Sequence, residues 1–431
     1  MKSTTTRINI VWLRNELRLA DNAVIQGAAR EKQPILVVYI FDESAVCKLD
    51  SDDSRISFIH DRLNIIYQEL KGHGSSLWVA RGNVVEIWKT IFQKYNVNAI
   101  YAAEDYEPDG IKRDGMIADL CVAHRVGFQL LKDRVIFAKD EVVKKDQSPY
   151  SVYTPYKRQW LRRYQDMEPI RRSEWRPVFL DGVLPFPSLR SLGFDRGRLT
   201  VKDFTLEGLE DYGKNRDYPF KNSGSNLGPH LRYGTTCIRK AVEVAMGKSE
   251  VFLSELIWRE FFMQALYHFP HSATRNFKKQ YDFISWRNNE MEFELWCNGK
   301  TGFPMVDAGM RELNESGYMH NRTRMVVASF LCKHLLIDWR WGEAYFSSRL
   351  LDYEMASNIG NWQWAAGTGC DAAPYFRVFN PTSQQEKFDP DFIYIKQWIP
   401  EFGTGDYPKP MLDHAMARER AIRTYKEGIV K

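Results

Sequence analysis

The chain has 431 residues, of which 44% are hydrophobic and 27% charged, and this length predicts two domains rather than one. A formal net charge of +5 permits a polyanionic partner without requiring one. The six cysteines show no CxxC pairing, which argues against a zinc site and for a reduced, cytoplasmic protein. Because apolar runs of membrane-spanning length and a signal-peptide core are both missing from the sequence, we expect no membrane association.

The first 135 residues alternate between short β-type runs and helical patterns. The β-type runs occupy residues 8–12, 35–41, 76–80, 98–103 and 127–131, and helical patterns between them include 57–71 and 84–95. This alternation predicts a doubly wound α/β domain with a parallel five-stranded sheet over residues 1–135. The turn after the first run reads Arg14-Asn15-Glu16 in place of GxGxxG, so a dinucleotide site of the Rossmann type is unsupported.

The pattern changes twice beyond this domain. Residues 136–199 are rich in Pro, Arg, Lys and Ser without lasting periodicity, which predicts a long interdomain linker over the surface. From 200 to 431 the β-type runs disappear, which predicts a second, all-helical domain. The helical patterns lie at 231–246, 254–269, 306–316, 321–336, 341–352 and 414–426.

The segment 358–381 carries two tryptophans one residue apart, Trp362 and Trp364. Small residues surround them, together with Asp371 and Arg377. Large aromatic rings flanked by Gly and Ala indicate close packing against a flat partner, which is a core side chain, a flavin or a nucleobase. Composition alone favours the core, and the same residues suit a helix–loop corner equally well.

The pattern at 254–269 places a carboxylate on an aromatic stripe. Glu255, Trp258 and Phe262 follow one another at i, i+3 and i+7 and therefore share a helix face. A charge on such a face needs a partner. A glutamate in a salt bridge at the edge of the stripe is the simpler interpretation, and a ligand contact is the alternative.

The pattern at 321–336 begins with an amide, a cation and a thioether on one face. These are Asn321, Arg324 and Met325, and Asp352 further on is a natural partner for Arg324. An Arg–Asp pair here is either purely structural or suited to the polar edge of a flavin, which carries donors and acceptors.

Longer motifs resemble the photolyase/cryptochrome flavoprotein family over nearly the whole chain. They are WLRNELRLADN (12–22), SVYTPYKRQW (151–160), ELIWREFF (255–262), GKTGFPMVDAGMRELNESGYMHNRTRM (299–325) and NWQWAAGTGCDAAPYFRVFNP (361–381). The last three are most similar to class I cyclobutane pyrimidine dimer photolyases. The resemblance implies light-driven repair of such dimers in DNA, by electron transfer from excited reduced FAD to a flipped-out dimer, as a deoxyribodipyrimidine photo-lyase.

The resemblance also implies which residues hold FAD in the helical domain. Asn358 would lie opposite the reactive nitrogen of the flavin and favour its anionic reduced form, whereas plant cryptochromes carry Asp at this position. The implied flavin ligands are Tyr212, Ser225, Asn321, Arg324, Asp352, Glu354 and Asn358.

The implied partner is UV-damaged DNA, single- or double-stranded and of any sequence. Its lesion would contact Glu255, Trp258, Asn321, Met325 and Trp364, and its phosphates Arg322, Arg377 and Lys157, with a salt-sensitive affinity. Glu255, Asn358 and Met325 are the implied catalytic residues. Met325 and Asn321 also separate the chain from (6-4) photolyases, which carry His at both positions.

Three tryptophans, Trp362, Trp339 and Trp286, match the electron-transfer triad of the family. The chemistry implied needs no metal. We expect a monomer. The alternative function is a cryptochrome-type blue-light photoreceptor without repair activity, against which the identities of Asn358 and Met325 argue.

Two segments depart from the family pattern. Residues 223–229 read SGSNLGP where the phosphate-binding segment usually reads GTSxLSP, so backbone amides are expected to replace some hydroxyl contacts. Asp109-Gly110 stands where folate-binding relatives carry Asn-Glu, which argues against folate. The sequence therefore leaves the identity of any second, antenna chromophore unassigned.

Overall fold

The computed structural model describes residues 6–167, 176–221 and 223–429. By their internal contacts the residues form two compact units that alternate along the chain. Unit 1 comprises Met1–Glu141, Arg162–Phe204 and Asn226–Val244, and unit 2 comprises Val142–Leu161, Thr205–Ser225 and Ala245–Lys431. The division into 1–135, 136–199 and 200–431 stays a prediction.

Unit 1 is built on one parallel sheet of five strands in the order β3-β2-β1-β4-β5. The strands are β1 Arg7–Leu13, β2 Ile35–Asp42, β3 Leu77–Gly82, β4 Asn96–Ala103 and β5 Gly127–Leu131. The chain winds outward from β1 to β3 and then returns to the other side of β1 with β4. The predicted fold class, a doubly wound α/β unit followed by a helical one, is confirmed.

Side chains of β1 alternate between two separate cores, because successive residues of a strand point to opposite faces. Val11 and Leu13 pack in the core on one face, and Ile10 and Trp12 in the core on the other. Helices cover both faces, which is the arrangement that a parallel sheet requires. The helices between and beside its strands are α1 Ala23–Ala29, α2 Glu43–Val46, α3 Ser54–Gly72, α4 Val84–Lys94 and α5 Pro108–His124.

The rest of the chain is helical. The helices are α6 Tyr153–Asp166, α7 Tyr212–Asn215, α8 Leu227–Arg232, α9 Ile238–Lys248, α10 Glu250–His268, α11 Glu290–Cys297, α12 Pro304–Ser316, α13 Asn321–Ser329, α14 Trp339–Arg349, α15 Met355–Ala366, α16 Pro381–Phe388, α17 Ile393–Trp398 and α18 His414–Ile429. Short 3₁₀ turns lie at Arg190–Leu192, Leu209–Asp211, Pro219–Lys221, Pro270–Ala273 and Lys279–Tyr281, and a π turn at Phe330–His334. Over 6–167, 176–221 and 223–429, none of the helices is long and apolar enough to span a bilayer.

The predicted linker contains a helix that the composition hid. Helix α6 buries Tyr153, Tyr156 and Trp160, and the Trp160 indole donates to the Glu260 carboxylate over 2.7 Å. Four Arg and Lys residues lie between and after these rings, so the mean character of the segment is polar although one face is apolar. The part of this segment that the structure describes therefore includes a regular helix with an apolar face.

Two predicted helices are interrupted. The pattern at 231–246 divides into α8 and α9, with Gly234 between them at φ +61° and so close to the Asn15 carbonyl that a Cβ would overlap it. The pattern at 321–336 leaves the α-helical form after Ser329 for a π turn. Local apolar spacing does not report such breaks, because they depend on close approach of another segment or on hydrogen-bond register.

The core of unit 2 contains a fully buried lysine, Lys333. Its ammonium donates to the carbonyls of Ala366 (2.7 Å) and Tyr375 (3.1 Å) and lies 3.6 Å from the centre of the Tyr425 ring. The Ala366 carbonyl is at the C-terminal end of α15, where a cation is favourable. Burial nevertheless lowers the pKa of Lys333 to about 7, because the charged form has lost its hydration.

Lys333 predicts how stability changes with pH. Above pH 7 the unfolded chain keeps a proton on this lysine, with its ordinary pKa of 10.5, that the folded chain has released. The free energy of unfolding should therefore rise between pH 7 and 10 by about 1.4 kcal/mol per pH unit relative to a Lys333→Met variant. Urea unfolding of both proteins at pH 6, 7.5 and 9 measures this difference. Parallel pH profiles of the two proteins would contradict it.

Candidate functional site

Helix α10 carries Glu255, Trp258 and Phe262, which the spacing predicts to share one face, and it lies in unit 2. Trp258 and Phe262 are in ring contact, with centroids 5.3 Å apart. Glu255 is half-buried and forms an ion pair with Arg216, which follows α7. Burial raises the pKa of Glu255, and the Arg216 guanidinium opposes that rise. The simpler interpretation of Glu255, a glutamate in a salt bridge, thus describes its contacts in this structure.

Arg324 and Asp352 form the pair that the sequence suggests. One Arg324 nitrogen donates to both Asp352 oxygens, at 3.1 and 2.9 Å, while its Nε donates to the Met319 carbonyl over 2.8 Å. The pair is partly exposed and places N–H donors beside carboxylate oxygens. Such an edge can hydrogen-bond a heterocycle that carries both donors and acceptors.

Glu354, which directly precedes α15, is in a more buried pair with Arg259 of α10. The guanidinium donates to one carboxylate oxygen over 2.7 Å, and the Ser357 hydroxyl donates to the other over 3.0 Å. Only 12% of the Arg259 side chain and 6% of that of Glu354 are exposed. This pair ties the start of α15 to the middle of α10.

Asn358 points its amide nitrogen at Glu343 of α14. The nitrogen donates to the Glu343 carbonyl (3.3 Å) and to its carboxylate (3.1 Å), and the Tyr353 hydroxyl donates to the same carboxylate (3.1 Å). Burial raises the pKa of Glu343, while these two donors lower it. The amide orientation of Asn358 is therefore set by protein contacts, which leaves its oxygen directed away from Glu343.

Two of the three cations expected at DNA phosphates have carboxylate partners. Arg322 pairs with Asp217 over 2.6 Å and lies 4.1 Å from the Phe388 ring centre, and Lys157 pairs with Glu250 over 3.0 Å. Glu250 is 80% exposed, so this pair is weak and easily exchanged for a phosphate.

The third cation and the remaining lesion residues are more exposed. Arg377 is exposed and lies 6.0 Å from the ring centre of Trp364, which is half-buried. Asn321 is exposed, and its amide approaches the Met325 sulfur at 3.9 Å, which confirms that the two residues share a face of α13. A flat ring, a thioether and an amide thus remain accessible to a ligand.

The three tryptophans of the proposed triad differ in burial. Trp362 and Trp339 are buried in the core of unit 2, at 2% and 1% exposure, whereas Trp286 packs against the same core and is partly exposed. The Trp339 indole donates to Asn276 over 2.9 Å, and Trp286 meets the Tyr425 ring edge-on at 5.8 Å. Of these three tryptophans, Trp286 is the one that solvent reaches in part.

The segment that departs from the family motif offers donors for an anionic group. The Ser223 hydroxyl is buried and has no hydrogen-bond partner within the described ranges. At Gly224 a Cβ would meet no atom within 4 Å, so the backbone there is open to close approach by a ligand. Ser225 lies next to it, and Tyr212 packs edge-on against Phe252. A buried donor beside open backbone fits a phosphate group, and so the chain fits the diphosphate of FAD.

Sequence reasoning missed four residues that orient the expected ones. Arg216, Arg259 and Glu343 hold Glu255, Glu354 and Asn358, and Tyr153 stacks on Trp258. The need of a half-buried carboxylate for a cation could have suggested that partners for Glu255 and Glu354 exist. It could not have identified them, because Arg216 and Glu255 are far apart in sequence.

Comparisons with known proteins agree with this geometry. A family model described as DNA photolyase matches residues 9–174, and one described as the FAD binding domain of DNA photolyase matches residues 252–404. A deoxyribodipyrimidine photo-lyase of Vibrio cholerae is 35% identical, with 97% of this chain and 99% of the relative covered. The fold and these matches define a flavoprotein with an FAD-binding helical part.

Two solved structures are similar over nearly their whole length. A bacterial class III photolyase from Agrobacterium tumefaciens has a TM-score of 0.88 and 31% identity, covering 100% of this chain and 99% of that one. An archaeal photolyase from Sulfolobus tokodaii, described with two FAD molecules and a novel light-harvesting cofactor, has a TM-score of 0.83 and 34% identity, covering 97% and 99%. The chain belongs to the DNA photolyase family of enzymes, and its cofactor is FAD. Its placement in class I stays a prediction.

Proposed function

We propose that the protein is a deoxyribodipyrimidine photo-lyase that splits cyclobutane pyrimidine dimers in UV-damaged DNA. The observation that carries the proposal is the packing of α15 against both α10 and α13. Gly360 of α15 lies so close to Phe262 of α10 that a Cβ on it would overlap the Phe262 ring. The helix with Asn358 is thereby held against the helices that carry Trp258 and Met325.

The roles of the side chains follow from their chemistry. Reduced FAD, when bound, supplies light absorption and donation of a single electron. Trp258 and Trp364 offer ring faces on which a flipped dimer stacks. Glu255 in its protonated form, which burial favours by raising its pKa, donates a hydrogen bond to the dimer as negative charge develops on it. With FAD bound, the electron that it would supply would allow the cyclobutane ring to split into two pyrimidines and would then be recovered, so the reaction would have no net redox change.

The flavin contacts are assigned in the same way. Arg324 and Asp352 hold the polar edge of the ring system, Glu354 and Asn358 complete that wall, and Tyr212, Ser223 and Ser225 take the phosphate side. Asn358 is neutral, so it adds no charge that would repel negative charge on the flavin, whereas an aspartate at this position would. Arg322, Arg377 and Lys157 bind phosphates without reading sequence.

A repair assay tests the proposal. The purified protein is incubated under reductant with UV-irradiated oligothymidine, in light and in the dark, and with an oligonucleotide that contains one (6-4) photoproduct. We expect dimer loss only in light and no repair of the (6-4) lesion, because Met325 and Asn321 stand where His is needed. Equal dimer content in light and dark would exclude repair and leave a photoreceptor. Repair of the (6-4) lesion would overturn the assignment of substrate.

Trp286 gives a separate prediction about reduction of the flavin. Replacing Trp286 with Phe should slow photoreduction of oxidised FAD, because the partly exposed end of the proposed triad is lost. Dimer repair by chemically reduced enzyme should be unchanged, because reductant then replaces the triad. Transient absorption measures the first rate and the repair assay the second. Trp398→Phe, at another tryptophan packed against the same core, is the matched control. Equal losses in both assays would refute the assignment.

A further inference from the structure

Trp258 is not an isolated ring on α10. Tyr153, the first residue of α6, stacks on it with centroids 3.6 Å apart and planes only 8° from parallel. A flat ring has two faces, and Tyr153 covers one of them. Phe262 also contacts the Trp258 ring, with planes 29° apart, so a nucleobase can stack on Trp258 only on the area that neither Tyr153 nor Phe262 covers. Tyr153 itself is 8% exposed, so it faces the protein rather than a ligand.

Tyr153 is fixed to α10 at a second point. Its hydroxyl donates to the Ser254 carbonyl over 2.8 Å, and Ser254 lies one helical turn before Trp258. The edge of its ring meets Phe261 at 5.9 Å. Because the ring is held at its hydroxyl and at its face, it forms a rigid back wall for Trp258.

The same tyrosine is attached to the segment that carries Trp364. Its backbone N–H donates to Asp371 Oδ2 over 3.1 Å, at the start of α6. Asp371 has φ +46°, a left-handed conformation that is uncommon for a residue other than glycine. The Asp371 carboxylate thus contacts the N-terminal residue of α6 from a constrained turn. Asp371 itself lies seven residues after Trp364 and five before Phe376.

We propose that Tyr153 is a positioning residue for lesion recognition, and that Asp371 links it to the second stacking ring. The inference rests on the proposed function, because it assigns Trp258 to the dimer. Tyr153 holds Trp258 in the orientation that a base requires, so the rotamer is set before DNA binds. Asp371 keeps Trp258 of α10 and Trp364 of α15 at a fixed separation.

The test measures binding in the dark, without repair. Fluorescence anisotropy gives the dissociation constants of the FAD-loaded protein for an oligonucleotide with one cyclobutane dimer and for the same undamaged sequence. For Tyr153→Met we expect the preference for the dimer to fall by about threefold to tenfold, in line with the loss of one aromatic pair. Affinity for undamaged DNA should not change. Tyr153→Phe, which keeps the ring and loses only the hydroxyl, should retain most of the preference.

The outcomes separate this inference from the proposed function. If the wild-type protein does not prefer the dimer, the proposed function fails. If it does and Tyr153→Met keeps the full preference, the positioning role is wrong. An equal loss in Tyr153→Phe and Tyr153→Met would also overturn it, because stacking would not be the cause. If Tyr153→Met does not fold, Asp371→Ala is the deciding variant, because it keeps the Tyr153 ring and removes the acceptor of the Tyr153 backbone N–H. A loss of affinity for the dimer alone supports the link between Asp371 and Tyr153. An unchanged preference for the dimer refutes it.

Discussion

Replacing Trp258 with alanine should lower affinity for dimer-containing DNA by about 10- to 100-fold, the usual contribution of one base–aromatic stack. Affinity for undamaged DNA should stay nearly constant, because phosphate contacts dominate it. The physical reason is that a flipped dimer loses its stacking on the neighbouring bases. Its unstacking must be compensated inside the protein, and Trp258 offers a large, half-buried ring that Tyr153 already holds in place.

Trp258→Phe is the matched control for this prediction. It keeps a ring on the same face of α10 and should lose much less affinity than Trp258→Ala. Anisotropy titrations at two salt concentrations measure both variants, and their salt dependence should equal that of the wild type, since no phosphate contact is removed. A Trp258→Ala protein that binds damaged and undamaged DNA with wild-type constants would show that the dimer stacks elsewhere.

Replacing Glu354 with alanine should cost about 3–5 kcal/mol of stability and lower Tm by roughly 5–10 °C. The variant removes the carboxylate that the Arg259 guanidinium, 12% exposed, contacts over 2.7 Å at the point where α10 and α15 meet. Breaking a buried pair is costly because the remaining charge keeps its desolvation and loses its attraction. Flavin content should fall as well, since the start of α15 also positions Asn358.

Two further variants show whether charge is the cause. Arg259→Met combined with Glu354→Leu removes both charges and should recover much of the lost stability, because neither ion then remains buried. Asp211→Ala breaks the exposed pair with Lys214 and should leave Tm almost unchanged. Thermal unfolding followed by circular dichroism measures all four proteins. A double variant no more stable than Glu354→Ala would assign the loss to packing and not to charge.

The elements that the sequence predicted well are those whose signal is local. Strand alternation placed all five strands within a few residues, and the stripe Glu255–Trp258 gave the correct face of α10. Helix α6 was missed, because three rings spaced among Arg and Lys are outweighed by them in composition. Helix α15 is not among the predicted helical patterns, although its small residues correctly indicate close packing against a flat partner, since Gly360 packs on the Phe262 ring.

The amino-acid sequence by itself determined the class of fold, the family, and the identity of residues that can meet a flavin or a dimer. Those properties depend on local periodicity and on residue type, and both can be read directly from the order of residues in the sequence. The tertiary structure decided which partners orient them: Arg216 for Glu255, Arg259 for Glu354, Glu343 for Asn358 and Tyr153 for Trp258. Each pair except the one at Asn358 joins segments at least 39 residues apart. Ion pairing, hydrogen bonding and ring stacking require contact within a few ångströms, and only folding brings such distant residues that close.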